Sequence, residues 1–148
     1  MRTSSSVTVA APPARVMPFI LDLGRYPEWM PLVHAARAEA GSFPAAWNVE
    51  LRARVGPFAR SKRLRMVLSS DVTTDGARIL VFERRETTGA GHSAWNMTVR
   101  VEDGNGATTV AIDLEYGGSL WTAGVLDRVL AAQIEAGKAG LARVVTAG

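Results

Sequence analysis

The side chains best able to move protons or hold metals are few in this sequence, and their spacing suits neither task. His34 and His92 are the two histidines, 58 positions apart and without a partner at metal-ligand spacing. Each reads as a surface or loop-end residue rather than as a ligand or a base. No cysteine is present, which excludes a disulfide scaffold, a thiolate metal site and cysteine catalysis. Asp113 and Glu115 lie two apart in an alternating run and share the face opposite Ile112 and Leu114. That is the pattern of a solvated outer face, not of an acid–base pair. A nucleophile elbow, a P-loop and a dinucleotide fingerprint are all missing. Gly89-Ala90-Gly91 and Gly104-Asn105-Gly106 are rich in glycine, but each falls between two alternating runs, where a hairpin turn is the simpler reading. The sequence implies no metal and no cofactor.

Two groups of residues carry more. Trp47, Met66, Trp95, Met97 and Tyr116 fall on the inward faces of different alternating runs. Such residues fill cores, and they also line cavities for apolar or aromatic ligands, with Tyr116 and the indole N–H groups as orienting donors. Methionine suits a cavity because its flexible thioether adapts to differently shaped guests. The second group is basic. Between Glu50 and Asp71 there is no acid, while Arg52, Arg54, Arg60, Lys62, Arg63 and Arg65 fall inside the gap. Parity predicts that Arg52, Arg54, Arg63 and Arg65 meet across one antiparallel pair on the outer side, extended by Arg84 and Arg85. Unbalanced like charges facing each other are mildly destabilising. The patch therefore reads either as a solvated face or as a weak contact for an anionic membrane or an acidic protein. Nothing in it resembles a nucleic-acid motif.

The elements that must position these residues follow from periodicity. Residues 4–10 alternate as a half-buried strand. Pro12-Pro13 stops that strand and suits a helix start. From Ala14 to Leu23 the apolar residues Val16, Met17, Ile20, Leu21 and Leu23 keep a helical face, with Pro18 expected to bend it. Gly24 is expected to end this helix, and Arg25–Pro31 reads as a short second helix or turn, with Trp29 at a helix–sheet junction. Period two then holds for about 85 residues: Val33–Glu39, Trp47–Val55, Arg60–Val72, Ala77–Glu86, Ser93–Val101 and Thr108–Gly117. Asp103-Gly104-Asn105-Gly106 is the strongest hairpin signal. Gly117-Gly118 breaks the pattern, and Trp121 is placed at a second junction. A helix from about Thr122 to Val145 carries a stripe of Leu126, Val129, Leu130, Ile134, Leu141, Val144 and Val145. Gly137 and Gly140 within it are expected to permit close approach to the sheet.

The 148 residues are 47% hydrophobic and 21% charged, one domain's worth of chain over 1–148. Seventeen basic residues against fourteen acidic give a formal charge of +3, a weak bias toward anions. No apolar run approaches the roughly 18 residues that span a bilayer, and none of signal-peptide type follows the N-terminus, so a cytoplasmic protein is expected. The fold class is α+β. A curved antiparallel sheet must cover its apolar face, and the last helix, 24 residues or roughly 36 Å, is the only element long enough. Two short helices follow the first strand. A cavity between sheet and helix would place Leu130 opposite Trp47, Met66, Trp95, Met97 and Tyr116.

Val7–Val16 followed by Asp22-Leu23-Gly24-Arg25-Tyr26-Pro27-Glu28-Trp29-Met30-Pro31 resembles the opening of the START/Bet v 1-type (SRPBCC, polyketide cyclase/dehydrase-like) superfamily. Val55-Gly56-Pro57 and Gly117-Gly118 also match its bacterial members, whereas Pro18 departs from the usual first helix. The resemblance covers nearly the whole chain and implies a helix-grip fold. It marks a fold rather than a reaction. The leading expectation it implies is binding or transport of a small hydrophobic, lipid- or polyketide-like ligand. The alternative is a cyclase or dehydratase using Tyr116 or His92 for proton transfer. An interaction protein of toxin–antitoxin type, using the basic outer face, is the third.

Overall fold

The alternating run at the N-terminus forms β1 (Arg2–Val9), and Pro13 opens α1 (Pro13–Leu21) in the computed structural model. Residues 2–89, 91–117 and 123–147 are described, without the side chains of Val55 and residues 123–127. The expectations for Ala90, Gly118 and Trp121, and for the side chains of Val55 and Leu126, lie outside the described residues. α1 runs through Pro18, which faces solvent, where water can satisfy the carbonyl that the proline ring leaves free.

The end of α1 differs from the sequence expectation. Gly24 does not close it; Asp22 does, and Gly24 sits inside a 3₁₀ helix spanning Leu23–Glu28. The Asp22 carboxylate accepts from the Gly24 N–H at 2.8 Å. This local bond competes with continuation of the helix and starts the next turn.

Six further strands follow: β2 (Val33–Ala38), β3 (Ala46–Val55), β4 (Phe58–Thr74), β5 (Ala77–Arg84), β6 (Trp95–Asp103) and β7 (Thr108–Tyr116). All neighbours are antiparallel, in the order β1-β7-β6-β5-β4-β3-β2. Asn105 and Gly106 adopt φ of 59° and 88°, the paired left-handed conformation of a type I′ hairpin. Asp75-Gly76 repeats it between β4 and β5, with φ of 49° and 78°.

Alternation puts Leu64 and Met66, Leu80 and Phe82, Val99 and Val101, and Val110 and Ile112 on the buried face. Across it lies α2 (Ala123–Thr146), which buries Leu130, Ile134, Leu141 and Val145. The sheet therefore grips the helix, as the α+β expectation requires. No helix among the described residues is long and apolar enough to cross a membrane.

Gly137 and Gly140 do permit a close approach, but to the chain after the 3₁₀ helix rather than to the sheet. A Cβ on Gly140 would lie 3.0 Å from the Trp29 carbonyl carbon and closer still to its oxygen. One on Gly137 would meet Met30 Sδ at 2.9 Å.

Candidate functional site

Between the sheet, the 3₁₀ helix and α2 lies a cavity of about 60 Å³ with an apolar wall. β4 contributes Met66, β6 contributes Trp95 and Met97, and β7 contributes Ile112 and Leu114. Ile134 closes it from α2, and Leu23, Tyr26 and Met30 close it from the 3₁₀ helix and the turn beyond. Val33 of β2 and Val49 and Leu51 of β3 line it as well, so period two in five strands and one turn of α2 converge on the same space.

The five inward residues and Leu130 have different places. Met66, Trp95 and Met97 reach the cavity wall. Trp47 is buried beside it, its ring edge-on to Phe82 at 5.8 Å and its Nε1 donating to Asp22 Oδ1 at 3.0 Å. Its indole N–H is thus a brace between β3 and the α1–3₁₀ junction, not a donor to a guest. Tyr116 is buried with its ring 5.6 Å from that of Trp95, and Leu130 is fully buried. Neither is among the described wall residues.

Asp22 therefore serves both as cap of the 3₁₀ helix and as acceptor for Trp47. Asp22→Ala removes both bonds and leaves the indole N–H without its partner. The expected cost is about 1–2 kcal/mol, read as a lower urea midpoint with an unchanged slope. An unchanged midpoint would mean the two bonds contribute nothing net.

Sequence patterning does not reveal Leu23, Tyr26 and Met30 as wall residues, because Tyr26-Pro27-Glu28-Trp29 has the character of a turn. The Tyr26 hydroxyl donates to the Ile20 carbonyl at 2.9 Å, and full burial pushes its pKa up. It is a neutral structural group. Trp29 does occupy a junction, donating from Nε1 to the Phe19 carbonyl at 3.1 Å.

The basic patch is arranged differently from the parity expectation. The two-residue Gly56-Pro57 turn pairs Val55 with Phe58, so Arg52 faces Ser61, Arg54 faces Ala59, Arg63 faces Glu50 and Arg65 faces Asn48. The four arginines do not oppose one another. Glu50 pairs with both Arg52 at 3.1 Å and Arg63 at 3.3 Å, and Arg65 pairs with Glu39 at 2.7 Å. The hydrogen bond from Arg65 holds the Glu39 carboxyl below its ordinary range. Only Arg54 of the four has no ion pair among the described residues. A trough of about 410 Å³ on this side is lined by Arg37, Asn48, Glu50, Arg63 and Glu86. Although larger, it is walled by carboxylates already engaged, Glu86 accepting from Arg84 and from the Arg65 N–H. The apolar cavity is the better candidate for a guest.

Lys62, grouped by the sequence with the outer arginines, points inward. It stands opposite Leu51 and two residues from Leu64, and both of these line the cavity. Its ammonium lies 5.8 Å from the centre of the Trp95 ring and donates to Ser93 Oγ at 3.2 Å. Burial, and then the Arg84 charge, push its pKa down. Arg84, opposite Met66, is also inward and is matched by Glu86 at 3.1 Å. Among the described residues no three His, Asp or Glu side chains come together to hold a metal.

The model of one protein family, polyketide cyclase/dehydrase and lipid transport, matches residues 1–146. The chain belongs to that family. Solved structures carry the same fold. A START superfamily protein from Mycobacterium smegmatis superposes with a TM-score of 0.71 at 14% identity, covering 97% of this chain and 96% of the other. A protein from Thermus thermophilus gives 0.73 at 16% identity, with 99% and 98% covered. The Zhui aromatase/cyclase from a Streptomyces species gives 0.66 at 15% identity, with 100% and 98% covered. No curated protein matches the sequence significantly.

Cyclase chemistry in this polyketide cyclase/dehydrase family member would need an ionisable group at the cavity. His92 lies exposed in the β5–β6 connection, its Nε2 3.0 Å from the Thr88 carbonyl. Asp113 is held outside by Arg2 and Ser4, and the Arg2 hydrogen bond keeps its carboxyl below the ordinary range. Lys62 comes nearer the wall than either.

Proposed function

We propose that this chain binds and carries a small hydrophobic molecule between its sheet and α2. The observation that carries the reading is the apolar cavity walled by Met30, Met66 and Met97 with the ring of Trp95. At about 60 Å³ it is far below the few hundred Å³ typical of ligand pockets. Binding therefore requires that the wall move. Methionine has three rotatable bonds and few rotamer penalties, so three methionines around one void can swing aside at little cost. The branched side chains that share the wall, Ile112 and Ile134 among them, are stiffer and keep the rest of it in place. Proton transfer is the weaker reading because His92 and Tyr116 are not among the described wall residues.

Calorimetric titration with an apolar guest should give saturable binding at one site per chain. Met97→Trp puts an indole where the guest must go and is expected to weaken that binding about tenfold. Filling a real void should cost less than the roughly 1–3 kcal/mol of overpacking a tight core, so the melting temperature should barely move. Strong destabilisation, with no saturable binding in the parent protein, would make these residues ordinary core.

A further inference from the structure

Beside the apolar cavity, which the Trp95 ring helps to wall, two hydrogen-bond donors of neighbouring side chains, Lys62 Nζ lying 5.8 Å from the Trp95 ring centre, lack an acidic or carbonyl acceptor among the described residues. The Trp95 indole N–H is buried without a hydrogen-bond partner there. Lys62 is half-buried; its one described hydrogen bond goes to the Ser93 hydroxyl, and no described carboxylate pairs with it. Both conditions cost free energy. A buried N–H without an acceptor loses the hydrogen bond it would make to water, and an unpaired cation stripped of part of its water is disfavoured. The neighbouring Arg84 does not relieve Lys62, because it is also positive; Glu86 is already shared between Arg84 and the Arg65 N–H. Lys62 and Arg84, with Glu86 as the one described carboxylate paired to them, therefore carry one uncompensated positive charge on the side of the apolar void.

We propose that Lys62 and Trp95 form a head-group site for an amphipathic monocarboxylate whose apolar body occupies the cavity. A carboxylate has one negative charge and two acceptor oxygens, which matches one ammonium and one indole N–H. One oxygen would take the charge-assisted bond from Lys62 Nζ, the stronger of the two, and the other the bond from Trp95 Nε1. Ser93, bonded to both Lys62 and Arg84 at 3.2 and 3.3 Å, holds the ammonium at this rim before the guest arrives. A neutral alcohol of equal length gains the same apolar contact but leaves the cation unmatched. The site thus selects by charge what the cavity admits by shape.

The inference rests on the hydrophobic-binding reading, and one pair of probes separates the two. Octanoate and 1-octanol share an apolar chain and differ in the head group. The parent protein is expected to bind octanoate about tenfold more tightly than octanol by calorimetry, as a single charged hydrogen bond allows. In Lys62→Met the preference should vanish through loss of octanoate affinity, with octanol affinity kept. The melting temperature of Lys62→Met should be equal or higher, since an unpaired partly buried cation is removed. Trp95→Phe, which keeps a ring but deletes the N–H, should lose part of the octanoate preference. Equal affinity for both probes in the parent, or an undiminished preference in Lys62→Met, would overturn the head-group site and leave the cavity reading standing. Binding of neither probe would overturn both.

Discussion

Gly140→Ala is expected to lower the unfolding free energy by about 2–3 kcal/mol, or roughly 5–10 °C in melting temperature for a chain of this size. On helix propensity alone the change should stabilise, by about 1 kcal/mol. The sign reverses because α2 passes directly over the Trp29 backbone, and a Cβ at 140 meets that carbonyl group from 3.0 Å inward. Backbone cannot rotate away as a side chain can, so α2 must lift and loosen Leu141 and Val145 on the same stripe. Gly137→Ala is the internal control. Its Cβ meets the flexible Met30 thioether at 2.9 Å, and the propensity gain should offset the adjustment, leaving stability within about 1 kcal/mol of the parent. Met30 also lines the cavity, so the same substitution should weaken guest binding. Thermal unfolding of both variants checks the pair. Equal melting temperatures for Gly140→Ala and the parent would contradict the close crossing.

The second large effect belongs to Phe82. It is fully buried, with its ring edge-on to Tyr26 at 6.3 Å and to Trp47 at 5.8 Å. β5 thereby locks to the 3₁₀ helix and to β3 through one side chain. Phe82→Ala removes the ring and leaves a void that those two neighbours cannot fill without breaking their own bonds to Ile20 and Asp22. The expected cost is about 3–5 kcal/mol, a large share of the roughly 5–15 kcal/mol that a domain has in total. Phe82→Leu should cost clearly less, because most of the apolar volume is retained. Urea unfolding of the two variants gives the comparison. A loss under about 1 kcal/mol for alanine would mean that the three rings do not form a packed unit.

Strands and hairpins are legible because their signals are local. Trp47, Val49 and Leu51 alternate with Asn48, Glu50 and Arg52 whatever else the chain does, and Asn105-Gly106 selects its turn from backbone sterics alone. The same rule, applied one residue further, turns Lys62 inward, since it shares parity with Leu64 and Met66. Its membership of a basic cluster hides that parity. Register is less legible than face. Parity says which side Arg52, Arg54, Arg63 and Arg65 occupy, but the two-residue Gly56-Pro57 turn settles what each one opposes. The end of α1 is obscured for a related reason. Glycine is the commoner stop signal, but here the Asp22 side chain reaches the Gly24 N–H first.

The order of elements, their inward and outward faces and hence a curved sheet closing on the last helix follow from the sequence alone, because hydrophobic alternation and turn chemistry act within a few residues. Contacts between layers do not follow in this way. Asp22 meets Trp47 across 25 positions, α2 crosses Trp29 at Gly140, and Lys62 on β4 comes to rest on the Trp95 ring two strands away. None of these is encoded in spacing, since each depends on how three layers pack at once. The size of the cavity belongs with them: the methionines and tryptophans that could fill a core or line a pocket are the same residues, and close packing alone sets how much space they leave.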